Sequence, residues 1–566
     1  MTIQAVFNIA EICARHGITD VVLSPGSRSA PLTLAFARHP ALTVRVVPDE
    51  RAAAFIGLGI AQAQRRAVAL VCTSGTAGLN YAPAVAEAFF QQIPLVIFTA
   101  DRPPEWIDQL DGQTIRQHNL YGAHAKGAFE FPVDTTHPDA KWHSARIVNE
   151  AINLAQATPA GPVQVNVPLR EPFYPKAGEV IEYEKEVKII QEYSDHLFIK
   201  KGNSALLAEI NNANRILVVV GQRPYDKLLA ALPIFAGKAQ AAVVADIISN
   251  VNVRAVTNQD VFLAGISETK QLELKPDLLI TFGQSLISKS LKLFLRKMKP
   301  AEHWHIQAQG EAPDTFRALT KTIRMEPHDF FGYVAGCDEK LDNAQLNSWQ
   351  QASRKASEFL TRFFVAEGTR YNEFVVFRRI TVELVRNTAL HLANSMAVRY
   401  ANILGIPPGR QIEVFANRGT SGIDGCTSTA VGAALAQPNR PVVLLTGDVA
   451  FFYDRNAFWH NYPLPNLRVV LFNNHGGGIF RIIDGPRQQP ELDEFFETRQ
   501  LLTAENTARD FNLRYLPVSS FAELDAALPV FFAAETGAAI LEVFTDSKTN
   551  AAFFEEYRAA VKQDFS

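Results

Sequence analysis

The stretch from Gly447 to Phe480, GDVAFFYDRNAFWHNYPLPNLRVVLFNNHGGGIF, constrains the fold of this chain more than any other. The apolar run before it, Pro441 to Thr446 (PVVLLT), reads as a strand buried on both faces of a parallel sheet. It ends in Gly447-Asp448, and a helical stretch from about Ala450 to His460 follows. A second apolar run, Leu467 to Phe472, then delivers Asn473-Asn474 and three glycines. This βαβ pattern sets Asp448 and Asn474 just past the carboxyl ends of parallel strands, where open α/β sheets bind their ligands. One carboxylate, one amide oxygen and glycine-exposed carbonyls make a hard-oxygen donor set. It suits Mg²⁺ (or Mn²⁺), which keeps waters and takes phosphate oxygens as further ligands. A structural alternative uses the same residues, with the aspartate capping a helix and Asn-Asn making a turn.

At 566 residues the chain is too long for one core, and three domains are expected. All three read as α/β, each a doubly wound parallel sheet. The first, 1–180, has candidate strands at Asp20–Leu23, Thr43–Val47, Ala67–Cys72, Pro94–Thr99 and Pro162–Val167. A charged stretch, Glu179–Lys188, reads as a linker. The second, 190–345, has strands at Arg215–Val220, Ala241–Ala245, Asp277–Phe282 and His303–Gln307, with Gly221 and Gly283 marking turns. Leu346–Val365 reads as a polar helical connector. The third, 365–566, opens with a long amphipathic helix around Asn372–Arg386. Its strands are Leu390–Ala393, Gln411–Phe415, Pro441–Thr446, Arg468–Phe472 and Ala539–Phe544. A faint duplication links GIAQAQRRAVALVCTSG, from Gly59 to Gly75, with ALAQPNRPVVLLTG, from Ala434 to Gly447. Two related domains, first and third, would produce it.

Composition removes several classes of function. With 47% hydrophobic and 20% charged residues and a net charge of −3, nothing draws the chain as a whole to nucleic acid or an anionic membrane. Attraction for an anionic ligand must therefore be local. The N-terminus has acidic Glu11 and a helical period, unlike a signal peptide. No apolar run approaches the length of a membrane span. Cys13, Cys72, Cys337 and Cys426 lack metal-ligand spacing and read as reduced, buried thiols of a cytoplasmic protein.

Two further groups of residues carry chemistry. In Pro48-Asp49-Glu50-Arg51, Glu50 stands where a strand meets a helix rich in Ala and Gly, AAAFIGLGIAQA, whose small residues permit close packing. A helix N-terminal glutamate stabilised by the dipole is the plain alternative. The second group is a set of arginines on turns after strands: Arg28 in SPGSRS, Arg102 in TADRP, Arg399 one turn after Asn394-Ser395, and Arg418 in NRGTSGIDG. Each alone could serve a structural ion pair. Four at the carboxyl ends of strands suggest a pocket for polycarboxylates, because arginine grips a carboxylate through two parallel hydrogen bonds.

The Gly-Asp to Asn-Asn run resembles the thiamine-diphosphate signature, with Val449 where most of that superfamily has glycine. SPGSRSAPLTLA, PDERAAAFIGLGIA, TSGTAG, FTADRPPE, DGQTIRQ, NRGTSGIDG and GDVAFFYDRNAF together resemble the family of 2-succinyl-5-enolpyruvyl-6-hydroxy-3-cyclohexene-1-carboxylate synthases of menaquinone biosynthesis, in which an apolar residue at Val449 is usual. The likeness runs through the first and third domains and covers the central one mainly in order and length.

That resemblance implies an EC 2.2.1-type transferase. It would decarboxylate 2-oxoglutarate on thiamine diphosphate and add the succinyl-carbanion equivalent 1,4 to isochorismate. It implies a pyrimidine-binding first domain, a central domain and a diphosphate-binding third domain. Asp448, Asn474 and the Gly476 carbonyl would hold the metal, Ile423 would support the bent cofactor, and Glu50 would share a proton with the aminopyrimidine. Ser27, Arg28, Arg102, Gln113 and Lys289 would bind isochorismate. Ser395, Arg399 and Arg418 would face carboxylates, with Ile479 and Phe480 as apolar walls. Sites would form between subunits of a homodimer or homotetramer. Two positions depart from the family: Ser290 where Lys-Arg is common, and Gly112 where an Asn precedes the glutamine.

An acetolactate-synthase-like carboligase or a simple 2-oxoacid decarboxylase is the alternative within the superfamily. Gly112–Leu120 holds a single histidine, His118, among Gln113, Arg116 and Gln117, whereas simple decarboxylases of that group commonly use a histidine pair. A non-catalytic regulator that binds a nucleotide or thiamine diphosphate is the alternative outside it. No GxxxxGK is present, and Glu50 is a residue that mere binding does not need.

Overall fold

A computed structural model describes residues 4–171, 173–175, 180–192, 204–224, 227–251, 255–337, 347–534 and 537–566. The apolar runs become the inner strands of three parallel sheets. The first orders Thr43–Val46, Asp20–Leu23, Val68–Cys72, Leu95–Asp101, Pro162–Pro168 and Ala128–Glu130. The second orders Lys321–Ile323, Glu302–Ile306, Leu278–Phe282, Ile216–Val220 and Ala242–Ala245. The third orders Glu413–Phe415, Ala389–Leu392, Val442–Gly447, Leu467–Asn473, Ala539–Phe544 and Arg514–Val518. Counted from its own first strand, the third sheet repeats the 2-1-3-4-6-5 order of the first. The likeness between Gly59–Gly75 and Ala434–Gly447 falls on equivalent connections into the third strand of each. The duplication is thus one of topology as well as sequence.

The chain packs as two compact units. One comprises Met1–Asp195, Asn417–Val442 and Ala450–Leu467; the other comprises His196–Ala416, Val443–Val449 and Arg468–Ser566. In the first unit the helix Glu50–Gln64 is capped by Asp49, whose side chain accepts from the Ala52 N–H, and it buries Ala52 through Ala61 without a break. A helix buried on every side needs small residues where it meets another. Here it crosses Cys426–Ala436: a Cβ on Gly59 would stand 2.1 Å from the Thr429 carbonyl oxygen, and one on Gly432 2.1 Å from that of Ile56. In the second unit the second and third sheets share one apolar core, from Leu217 and Val244 through Phe374 to Leu445, Val470 and Leu541.

Several expectations change. The strands Ala128–Glu130, Lys321–Ile323 and Arg514–Val518 were not legible because each lies at a sheet edge, half-exposed and without an apolar run. The helix expected over Ala450–His460 is Asp448–Tyr453 followed by a short 3₁₀ turn, Arg455–Phe458. It breaks at Asp454, whose carboxylate turns to accept from the Ser428 N–H (2.7 Å) and hydroxyl (2.6 Å). The amphipathic helix is shorter than expected, Glu373–Glu383.

The helix Asn347–Glu367 is more than a connector, because Trp349, Phe359, Phe363 and Phe364 enter the shared core. Of the expected linker, residues 180–188 carry no helix or strand but are strapped to the first sheet's helices. Tyr183 donates to the Ala35 carbonyl (2.7 Å), and Asn149 donates to that of Lys188 (3.0 Å). Gly221 and Gly283 pack backbone to backbone, which is turn and packing chemistry. All four cysteines are free, but Cys337 is half-exposed rather than buried.

Candidate active site

In the first and third sheets the connections leave in opposite directions between the first and third strands, and ligands of such sheets gather at that switch point. In the third sheet those strands end in Asn394-Ser395 and Gly447-Asp448, joined by an Ala393 N–H to Leu445 carbonyl bond of 2.9 Å. In the first they end in Ser24 and Thr73-Ser74-Gly75, joined by a Ser24 N–H to Val71 carbonyl bond of 2.9 Å. Most of the site residues expected from sequence lie on these turns or the adjoining ones.

Asp448 is 2% exposed, and burial pushes its carboxyl up to about 6 against the bonds it accepts. These come from the N–H groups of Val449 (2.8 Å) and Gly476 (2.8 Å) and from the Gln500 amide (3.1 Å). Asn474 donates its amide N–H to Glu373 (2.9 Å), which fixes the opposite amide oxygen. That oxygen is buried and has no hydrogen-bond partner. The Gly476 carbonyl accepts from the Gly478 N–H at 3.0 Å and keeps its second lone pair. A buried carboxylate short of positive charge beside an orphaned amide oxygen is what a divalent cation relieves, so the donor set fits a metal carried on a diphosphate. Among the described residues no group of three or more His, Cys, Asp or Glu forms a competing metal centre.

Glu50 begins the buried helix of the first unit and is half-buried itself. Its neighbours are committed elsewhere. Asp49 accepts from Asn456 (2.8 Å), while Arg51 donates to the Tyr453 carbonyl (2.9 Å), lies 3.8 Å from Asp454 and covers the Tyr453 ring. Burial raises the Cys72 thiol and the Tyr81 phenol, and the Glu50 charge adds a smaller push to both.

The arginines differ from one another. Arg28 is buried, donating to the Leu169 carbonyl (3.0 Å) and lying over the Phe173 ring, while Ser27 beside it is exposed. Arg102 meets the turn holding Gln113, donating to the Gly112 carbonyl (2.8 Å) and pairing with Asp111 (3.1 Å). Arg418 and Ile423 are half-buried on a loop held by Glu87, which accepts from the N–H groups of Gly419 and Thr420 (2.7 Å each). Ser395, exposed Arg399 and exposed Lys289 belong to the second unit, with half-buried Ile479 and Phe480. Gln113 (φ 57°) and Ser395 (φ 74°) sit in the left-handed region. For non-glycine residues that strain of about 1–3 kcal/mol is stored where the surroundings over-determine the backbone, commonly at functional sites.

Three family descriptions match in sequence along the chain: the N-terminal TPP binding domain of thiamine pyrophosphate enzymes at 3–123, their middle domain at 204–392 and their C-terminal TPP binding domain at 398–543. A 2-succinyl-5-enolpyruvyl-6-hydroxy-3-cyclohexene-1-carboxylate synthase of Cytophaga hutchinsonii is 44% identical over 564 residues, covering 99% of this chain and 100% of that protein. The chain belongs to this synthase family. Synthases of the same name from Flavobacterium johnsoniae and Porphyromonas gingivalis are 38% and 39% identical, each covering 97% of this chain and respectively 97% and 96% of those proteins. The crystal structure of benzoylformate decarboxylase from Polynucleobacter necessarius superposes with a TM-score of 0.69 at 16% identity, covering 96% of this chain and 98% of that one. At that identity the likeness is one of fold. The protein is therefore a thiamine-diphosphate-dependent transferase of menaquinone biosynthesis, and the acetolactate-synthase-like alternative gives way. No helix among the described residues is long and apolar enough to cross a membrane.

Sequence reasoning overlooked Glu373, Gln500 and Glu87. Each orients a candidate site residue from far along the chain, and a lone acid or amide in a helix or loop carries no local signal of such a contact.

Proposed function

We propose that this synthase decarboxylates 2-oxoglutarate and adds the resulting four-carbon unit to isochorismate by 1,4-addition, with Mg²⁺ or Mn²⁺ holding the cofactor diphosphate. The unpartnered amide oxygen of Asn474 beside buried Asp448 is the observation that carries the metal assignment. When bound, thiamine diphosphate supplies the carbon nucleophile and holds the electron pair left by CO₂. The chain does the rest. Asp448, Asn474 and the Gly476 carbonyl would hold the metal, Ile423 would support the cofactor, and the Glu50 carboxyl would hold a proton for the aminopyrimidine ring. Ser27, Arg102, Gln113 and Lys289 receive isochorismate with Arg28, a cation fixed by Leu169 and Phe173. Ser395, Arg399 and Arg418 receive the carboxylates of 2-oxoglutarate, and Ile479 and Phe480 exclude water. Binding two anions in turn makes positioning a large part of the rate gain.

Residues 1–180, 190–345 and 365–566 would act as pyrimidine-binding, central and diphosphate-binding domains of a cytoplasmic homodimer or homotetramer with sites between subunits. The test supplies 2-oxoglutarate, isochorismate, thiamine diphosphate and Mg²⁺, and follows isochorismate loss with CO₂ release. Decarboxylation of pyruvate without use of isochorismate would sink the assignment.

Glu373 sets one further expectation. In Glu373→Leu the Asn474 amide loses its acceptor and turns freely, and Mg²⁺-dependent cofactor affinity should fall on the order of 10–100-fold. Glu373→Gln, which can still offer an oxygen, should lose less. Titration of intrinsic tryptophan fluorescence reads both, and equal affinities in the two variants would refute the orienting role.

A further inference from the structure

The second unit contains a polar clasp that the chemistry above does not use. Asn402, 1% exposed, lies on the helix Met396–Leu404, one turn beyond Arg399 and on its buried side. Its amide donates to Asp260 (2.7 Å) and to Asp246 (3.2 Å), and its oxygen accepts from the Ile247 N–H (2.9 Å). Asp246, also 1% exposed, accepts in addition from Gln259 (2.7 Å), from the Ser288 N–H (3.1 Å) and from the Ile287 N–H. Asp260 accepts from the Ser288 hydroxyl at 2.5 Å. Ser288 in turn caps the helix Lys289–Met298 through the Leu291 N–H (3.0 Å), and Lys289 is that helix's first residue. Two carboxylates therefore bind, on one side, the turn that presents Lys289 and, on the other, the helix that presents Arg399.

An apolar contact would join these segments at lower desolvation cost, because buried carboxylates are weak contributors to stability. A network in which both carboxylates and the Asn402 amide are hydrogen-bonded instead fixes one arrangement, since each donor has a single acceptor at the right angle, although the Gln259 amide oxygen beside it has no hydrogen-bond partner. Asp260 is half-buried and belongs to the clasp itself, and the charge of the exposed Arg399 favours its ionised form. The central sheet shares a core with the third, so the clasp adds polar bonds between segments of one packed unit.

We propose that Asp260 and Asp246 are positioning residues that hold the Lys289 turn and the Ser395–Arg399 turn in mutual register for the substrate carboxylates. This rests on the dicarboxylate reading of the site. It makes the central domain a part of the substrate pocket through Asn402 and Ser288 rather than a spacer.

The test uses Asp260→Asn in the full chain with thiamine diphosphate and Mg²⁺. An amide at 260 must turn its NH₂ either toward Ser288, whose hydroxyl then accepts instead of donating and leaves its own proton without an acceptor, or toward the Asn402 amide, where two donors meet; either weakens one arm and leaves volume nearly unchanged. KM for 2-oxoglutarate should rise roughly tenfold, a coupling common between residues of one network, with kcat within about twofold. Cofactor affinity should stay as in the wild type, because the Asp448 donors are not in the clasp. In an Arg399→Ala background the same substitution should add nothing further. An unchanged KM, or an equal rise in both backgrounds, would overturn the proposal. If Asp260→Asn is poorly folded, Asn402→Ser, which shortens the other arm, is judged by the same criteria. A wild-type chain that ignores 2-oxoglutarate but takes another 2-oxoacid would fail the substrate reading. The same cycle run on that acid would still decide the clasp.

Discussion

Replacing Glu50 with glutamine is expected to remove most of the turnover while leaving the folded, cofactor-loaded protein intact. Glutamine matches glutamate in volume and still hydrogen-bonds, but it cannot share a proton, and positioned acid–base groups contribute about 10²–10⁴-fold. The loss should fall in that range and in kcat. Stability should hold for two local reasons. The helix is secured by the Asp49 cap and by the glycine crossing with Cys426–Ala436, neither of which uses the Glu50 side chain. Asp49 and Arg51 keep their own bonds to Asn456 and Tyr453. Isochorismate consumption measures the first effect, and thermal melting with fluorescence titration of the cofactor measures the second. Full activity in Glu50→Gln would remove cofactor activation from this residue. A collapse of cofactor binding of the same size would recast it as a mere anchor.

The second large effect concerns Asp448→Asn, and it should differ between the metal-free and the loaded protein. The Asp448 carboxylate is buried among amides, and burial has already driven it up to about 6. Without metal, an amide there removes an uncompensated buried charge, which offsets the bond lost when its NH₂ faces the Val449 N–H, so the cofactor-free protein should melt close to wild type. With metal and thiamine diphosphate present, wild type should gain stability by mass action, about 2.7 kcal/mol at ligand one hundred times its dissociation constant. The variant should lose nearly all of that gain, with cofactor affinity down by at least about 100-fold, beyond the cost of removing an outer partner such as Glu373. Adding EDTA to wild type should reproduce the loss. A ligand-induced rise in melting temperature that survives in Asp448→Asn would rule out the carboxylate as a metal ligand.

Legibility from sequence followed burial. The inner strands of each sheet are near-continuous apolar runs, and they ended within a residue or two of the expected places. The edge strands Ala128–Glu130 and Arg514–Val518 have one face in solvent and mixed composition, so no period marks them. Arg28 and Arg102 read alike as glycine- or proline-flanked turn arginines. Folding separates them, one clamped on the Leu169 carbonyl and Phe173, the other braced on Gly112 and Asp111.

The apolar periodicity around Gly447–Phe480, the glycine-rich turns and the motif residues were enough to announce three parallel α/β sheets, the family and the candidate donors proposed for the metal. These are properties of short contiguous stretches, because strand burial and turn conformation are decided by neighbours a few residues apart. The orientation of those donors belongs to the folded chain alone. Glu373 turns the Asn474 oxygen, Gln500 braces Asp448, Glu87 holds the Arg418 loop, and Asp246 with Asp260 ties Lys289 to the Arg399 helix. Each of these bonds joins residues brought together only by crossover connections of parallel strands. A hydrogen bond depends on ångström-scale geometry that no local pattern encodes.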